Sequence, residues 1–76
     1  MSLSYIKDAL AAILEDVTGY RIKVPMTYEL EAFFEPEEFD TFCDMVQQEF
    51  DLPDNTILMS ASTFRELLIL LEDELS

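Results

Sequence analysis

Between Glu35 and Phe50 the apolar positions recur with the period of a helix. Phe39, Phe42, Cys43, Val46 and Phe50 stand at i, i+3, i+4, i+7 and i+11, which places all five on one stripe. Glu37, Glu38, Asp40, Asp44, Gln47 and Gln48 fall largely on the other side. Pro36 suits the first helical position, where its missing N–H costs nothing and its fixed φ fits the helix. Acidic side chains crowd the first turn and interact favourably with the positive end of the helix dipole. Burying the five-residue stripe contributes roughly 7–15 kcal/mol gross, an upper figure because it refers to an extended chain.

A second amphipathic helix is predicted from about Ser4 to Val17. Ile6, Leu10, Ile13, Leu14 and Val17 form its apolar face, with Ala9 and Ala12 beside them. Ser4 is the expected N-cap, and Thr18-Gly19 the expected stop, because glycine tolerates a left-handed C-terminal residue. Tyr20 to Phe34 then reads as a long ordered loop. Pro25 interrupts it, and the alternation of Ile22 and Val24 with Arg21 and Lys23 would leave an isolated strand without a partner. Thr27 is expected to cap a short turn through Tyr28, Leu30 and Ala32. One of Phe33 and Phe34 is expected to staple the entry of the central helix, and the other to be exposed.

After Phe50, Asp51-Leu52-Pro53-Asp54 reads as a turn, and Asn55 to Ser60 as one short helical turn using Ile57, Leu58 and Met59. A last helix is predicted from about Thr63 to Leu75, with Ser62 or Thr63 as N-cap and Glu66 available for a capping box. Its core stripe is Phe64, Leu67, Leu68, Leu71 and Leu75. Ile69 and Leu70 widen the apolar face, and with Phe33 and Phe34 they offer a homodimer contact. The expected architecture is all-α: three main helices and one short third helix, in a single domain over residues 1–76.

Charge narrows the choice of partners. The chain of 76 residues carries 17 acidic and 4 basic side chains, a formal charge of −13, and no basic residue between Lys23 and Arg65. Such a field repels nucleic acid and anionic membrane surfaces and steers the protein toward basic protein surfaces. There is no histidine, and Cys43, the single cysteine, lies on the apolar stripe, where it reads as a small buried hydrophobe. With no Gly-rich phosphate loop either, a self-contained enzyme is not expected. The neighbouring acids Glu72-Asp73-Glu74 read as a solvated face, and Asp51, Asp54 and Asn55 lack the glycine and final glutamate of a calcium loop. The N-terminus shows no basic region followed by an apolar run, so a cytoplasmic location is expected, as a monomer or weak homodimer.

Several segments together resemble the acyl carrier protein family. In that family the second helix opens with Asp-Ser-Leu and runs into an apolar stripe ending at an acidic-acidic-Phe run. Phe42, Cys43, Val46, Glu49 and Phe50 are similar to that stripe and its end. Leu52-Pro53-Asp54 resembles the Ile-Pro-acidic turn that follows, and Ser62-Thr63-Phe64-Arg65-Glu66-Leu67-Leu68 the start of the last helix. Thr27-Tyr28 resembles the Ser-Phe anchor of the first loop. The resemblance implies a small acyl-carrier-protein-like four-helix bundle, a place in fatty acid or polyketide biosynthesis, and docking to carrier-handling enzymes through the second helix. Glu35, Glu37, Glu38, Asp40 and Asp44 are then the partner-binding residues.

The family carries its cargo on 4′-phosphopantetheine attached to the serine of Asp-Ser-Leu. In the same register this chain has Glu35-Pro36-Glu37, and proline has no hydroxyl to accept the phosphodiester. The resemblance therefore implies a non-carrier relative without that prosthetic group. Two alternatives stay open. One is a genuine carrier with a displaced site, for which Asp40-Thr41-Phe42 is the nearest candidate, Ser60 and Ser62 preceding the wrong helix. The other is an unrelated acidic helical interaction or immunity-type protein.

Overall fold

The computed structural model describes residues 2–75; Met1 and Ser76 lie outside the described residues. Helix α1 spans Leu3–Thr18, one residue longer at each end than its periodicity predicted. The cap is Ser2, whose hydroxyl accepts the Tyr5 N–H at 3.2 Å, and Ile6 N–H bonds the Ser2 carbonyl. Ser4, the expected cap, lies inside the first turn. A cap two residues earlier lengthens the hydrogen-bonded ladder and still satisfies an orphan donor, so the earlier serine is used. At the other end Gly19 adopts φ +82° and returns its N–H to the Glu15 carbonyl at 2.8 Å. That is the left-handed cap for which glycine is suited.

The connection from Tyr20 onward is the ordered loop expected, with Ile22, Val24 and Met26 half-buried. Its end forms the short turn expected there, two residues later than expected, as a one-turn helix α2, Leu30–Phe33. Thr27 does not cap it. The N-cap position is Glu29, which makes no side-chain cap bond, and Leu30 is buried. Phe34 and Glu35 are extended, as the residue before a proline must be, and α3, Pro36–Glu49, follows with Pro36 at its first position.

Both residues of the Phe33-Phe34 pair turn toward the interior. Phe34 stands outside the first turn of α3 with its ring 6.1 Å from that of Phe39, the predicted staple. Phe33, expected to be exposed, is half-buried, with its ring edge-on to Phe34 at 4.9 Å and Phe64 at 5.3 Å. Phe33 is half-buried and Phe34 buried, so neither stands out as an exposed ring. Of the four residues suggested for a homodimer contact, only Ile69 is exposed, at 57%.

α3 ends in a reciprocal backbone motif. Phe50 is the C-cap, and Asp51 takes a positive φ of 53°. The Asp51 N–H bonds the Gln48 carbonyl at 3.3 Å and the Leu52 N–H the Gln47 carbonyl at 3.0 Å. These are the two bonds of a Schellman motif, here built on aspartate where glycine is usual. Leu52 is buried beneath it. Helix α4, Thr56–Ser60, is the short turn predicted, with Leu58 as its buried residue.

Helix α5, Phe64–Leu75, has partners for the backbone N–H groups of its first four residues. Phe64 N–H bonds the Tyr28 carbonyl at 3.3 Å, and Arg65 N–H the Met26 carbonyl at 3.0 Å. Glu66 N–H bonds the Thr63 hydroxyl at 3.2 Å, and Leu67 N–H the Thr63 carbonyl at 3.0 Å. The Glu66 carboxylate accepts the Ser62 N–H at 3.1 Å. Thr63 is therefore the cap, and the long loop supplies half of what the helix start requires. An isolated antiparallel bridge between Glu29 and Thr63 ties the same two segments.

α1 packs against both α3 and α5, and the Tyr5 ring meets Phe50 at 6.5 Å, so α1 and α3 run antiparallel. Ile6, Leu10 and Leu14 from α1, Phe42 and Val46 from α3, and Phe64, Leu67 and Leu71 from α5 are fully buried. A cluster of aromatic rings fills the centre, with Phe34 and Phe42 4.8 Å apart and Phe42 and Phe64 6.1 Å apart. Leu75, expected in the α5 stripe, is half-buried at its end. Among the described residues there are five helices, three of them long, with no strand and no buried polar side chain. The radius of gyration is 11.1 Å, close to the ~11 Å expected for a compact chain of this length. No helix among these residues is long and apolar enough to cross a membrane.

Candidate docking face on helix α3

The residues that bury α3 also fix what it shows to solvent. With Phe42, Cys43 and Val46 turned inward, Glu37, Asp40 and Asp44 fall along one exposed ridge at i, i+3 and i+7. Glu35 and Pro36 are exposed at its start. Glu38 stands apart from the ridge. It is half-buried, and its carboxylate accepts the Glu35 backbone N–H at 3.1 Å. Of the five acids proposed for partner contact, four face solvent and Glu38 also serves as a helix-start cap.

The ridge has no cation of its own. Arg21 pairs with Glu15 at 3.2 Å, far along the chain, and among the described residues no α3 carboxylate lies within salt-bridge distance of a basic group. Cys43 registers the resulting field. Burial, and after it the charges of Asp40 and Asp44, push its thiol up to about 11. A thiol so placed stays protonated and unreactive, as a small core residue should.

No hydroxyl stands at the start of α3, where Pro36 occupies the first helical position. The nearest hydroxyl on the helix, Thr41, is exposed one turn further on and donates to the Glu37 carbonyl at 3.1 Å. Ser60 donates to the Thr56 carbonyl, and Ser62 is exposed before α5. Tyr28, the loop anchor by resemblance, is 51% exposed; its ring stands edge-on to that of Phe33 with the ring centres 5.6 Å apart, and its backbone carbonyl makes the tie to α5.

The Asp54 carboxylate accepts the Thr56 N–H at 2.9 Å, and that bond lowers its pKa. Among the described residues no three potential ligands converge on a metal-sized site.

Beside the ridge, α2 and α3 leave an open cleft of about 380 Å³ lined by Glu31, Phe34, Pro36, Phe39 and Asp40. The sequence places Phe39 on the buried stripe of α3 and Phe34 at the helix entry or on the surface, and points to no cleft between them. Phe39 lies at the edge of the α3 stripe and is only half-buried, which leaves part of its ring in the cleft. Its neighbour Glu31 lies on α2, so no linear pattern links the two. No family model, curated protein or solved structure matches this chain.

Proposed function

We propose that this protein is a non-carrier relative of the acyl carrier proteins, which docks a basic surface of a partner through α3 and carries no phosphopantetheine. The observation that carries the reading is the exposed ridge Glu37-Asp40-Asp44, which has no cation within salt-bridge distance among the described residues. A surface of this kind gains little by itself in a free monomer, where like charges repel, and gains most when a basic surface meets it.

The element order supports the kinship. A long first helix, a long loop, a central helix, a short turn and a last helix follow one another as the resemblance implies, with α2 as an addition. Pro36 at the first position of α3 supports the loss of the attachment step, since a proline side chain offers no oxygen.

The test is binding to a carrier-handling enzyme, for which a ketoacyl synthase serves as the probe. Titrations are run at about 0.01 M and about 1 M salt, where the screening lengths are about 30 Å and about 3 Å. Docking through the ridge gives affinity that collapses at high salt. Binding that ignores salt, or none at low salt, contradicts the reading.

A further inference from the structure

A ridge of exposed carboxylates steers a partner but anchors it weakly, because exposed ion pairs are screened and each contributes little. Tight interfaces place a side chain in a desolvated pocket beside the charges. The open cleft between α2 and α3 would become such a pocket once a partner covered it, and it is continuous with the ridge because Asp40 belongs to both. Its floor is aromatic. The Phe34 and Phe39 rings stand 6.1 Å apart at 32° to each other, and Pro36 closes one side. Its rim is acidic, with Glu31 on α2 and Asp40 on α3, both exposed and neither within salt-bridge distance of a cation among the described residues.

We infer that this cleft takes an arginine side chain of the basic partner, its guanidinium stacked on Phe39 beside Pro36 and shared between Glu31 and Asp40. The inference rests on the docking reading above and names the residue type at its centre.

Chemistry selects this occupant. An aliphatic or aromatic side chain would fill the floor and leave two carboxylates partly desolvated without a partner. An anionic group is repelled by the rim, and a second copy of a chain with charge −13 by the whole field. Lysine satisfies the rim, but its ammonium is compact and strongly hydrated. Arginine alone joins a planar, weakly hydrated cation that stacks on an aromatic face to a fork of donors that can serve two carboxylates.

The test uses the whole protein with hexa-arginine and hexa-lysine amides at low salt. Affinity is read by fluorescence anisotropy, and the Phe39 ring protons by NMR. Hexa-arginine is expected to bind about fivefold more tightly than hexa-lysine, the size of a cation–π contact at a partly exposed ring. It is also expected to shift the Phe39 ring resonances. Phe39→Leu keeps an apolar side chain at the position and removes the aromatic face, and should abolish the preference for arginine. Glu37→Gln with Asp44→Asn, outside the cleft, should weaken both peptides alike. Equal binding of the two peptides, or a preference that survives Phe39→Leu, overturns the cleft and leaves the docking ridge standing. Failure of both peptides to bind at low salt overturns the ridge itself.

Discussion

The carboxylate of Glu38 accepts the backbone N–H of Glu35 at 3.1 Å, while its neighbour Glu37 faces solvent on the ridge. Adjacent glutamates in one first turn thus have different work. Glu38 holds the start of α3, and Glu37 adds only to the charge outside it. Both gain from the helix dipole, so that contribution cancels in a comparison. Glu38→Ala is expected to destabilise the fold by about 1 kcal/mol more than Glu37→Ala does. Urea unfolding of the two variants measures the difference.

Asp51 holds a left-handed backbone conformation that an L-residue adopts at a cost. The Schellman bonds of Asp51 and Leu52 require that conformation whatever residue is there. Asp51→Gly keeps both bonds and removes the strain, offset in part by the greater freedom of glycine in the unfolded chain. The expected gain is about 0.5 kcal/mol, seen as a higher urea midpoint at unchanged slope. Asp51→Val, β-branched at the same φ, should move the midpoint the other way.

The Cys43 thiol, pushed up to about 11 from 9.0, links stability to alkaline pH. Between these two values the unfolded chain has lost the thiol proton and the folded chain still holds it. The unfolded state is then the one favoured by rising pH, so this group's contribution to stability is full below about pH 9 and falls toward pH 11. Cys43→Ala should flatten that part of the pH profile. In the native protein a thiol reagent at pH 8 should label Cys43 only at the rate of unfolding.

The charge of −13 makes the folded state self-repelling. Added sodium chloride should raise the melting temperature through screening, most steeply below about 0.15 M, where the screening length exceeds about 8 Å. Glu37→Gln with Asp44→Asn should raise it at low salt as well. The same pair of changes should weaken partner binding, so stability and docking move in opposite directions on one face.

A mass spectrum taken after incubation with coenzyme A and a phosphopantetheinyl transferase should show the unmodified chain. Pro36 offers no oxygen, and Thr41 lies a turn inside α3 with its hydroxyl on the Glu37 carbonyl. Stoichiometric addition of one phosphopantetheine would identify a carrier with a displaced site.

The stripe from Phe39 to Phe50 was legible because burial on one helix face is periodic in sequence. The same reason made α1 and α5 legible to within a residue or two. Ser2 in place of Ser4 escaped because two serines two residues apart are equivalent as caps until the first turn is built. The loop carbonyls of Met26 and Tyr28 at the start of α5 escaped for a deeper reason. They meet Arg65 and Phe64 across more than thirty residues, and backbone bonds of that span leave no side-chain signature. Phe33 and Phe34 were misjudged in part because two consecutive aromatics cannot share one face of a regular element. The extended backbone at Phe34 turns both rings inward. The acids of the ridge were legible as a group. The separate role of Glu38 and the cleft between Glu31 and Asp40 needed the fold.

The most direct measurement is the affinity of the triple variant Glu37→Gln/Asp40→Asn/Asp44→Asn for a ketoacyl synthase, compared with the parent chain at low salt. The account predicts at least about a tenfold loss, with circular dichroism and urea midpoint showing an intact fold. Equal affinity of the two proteins would contradict it.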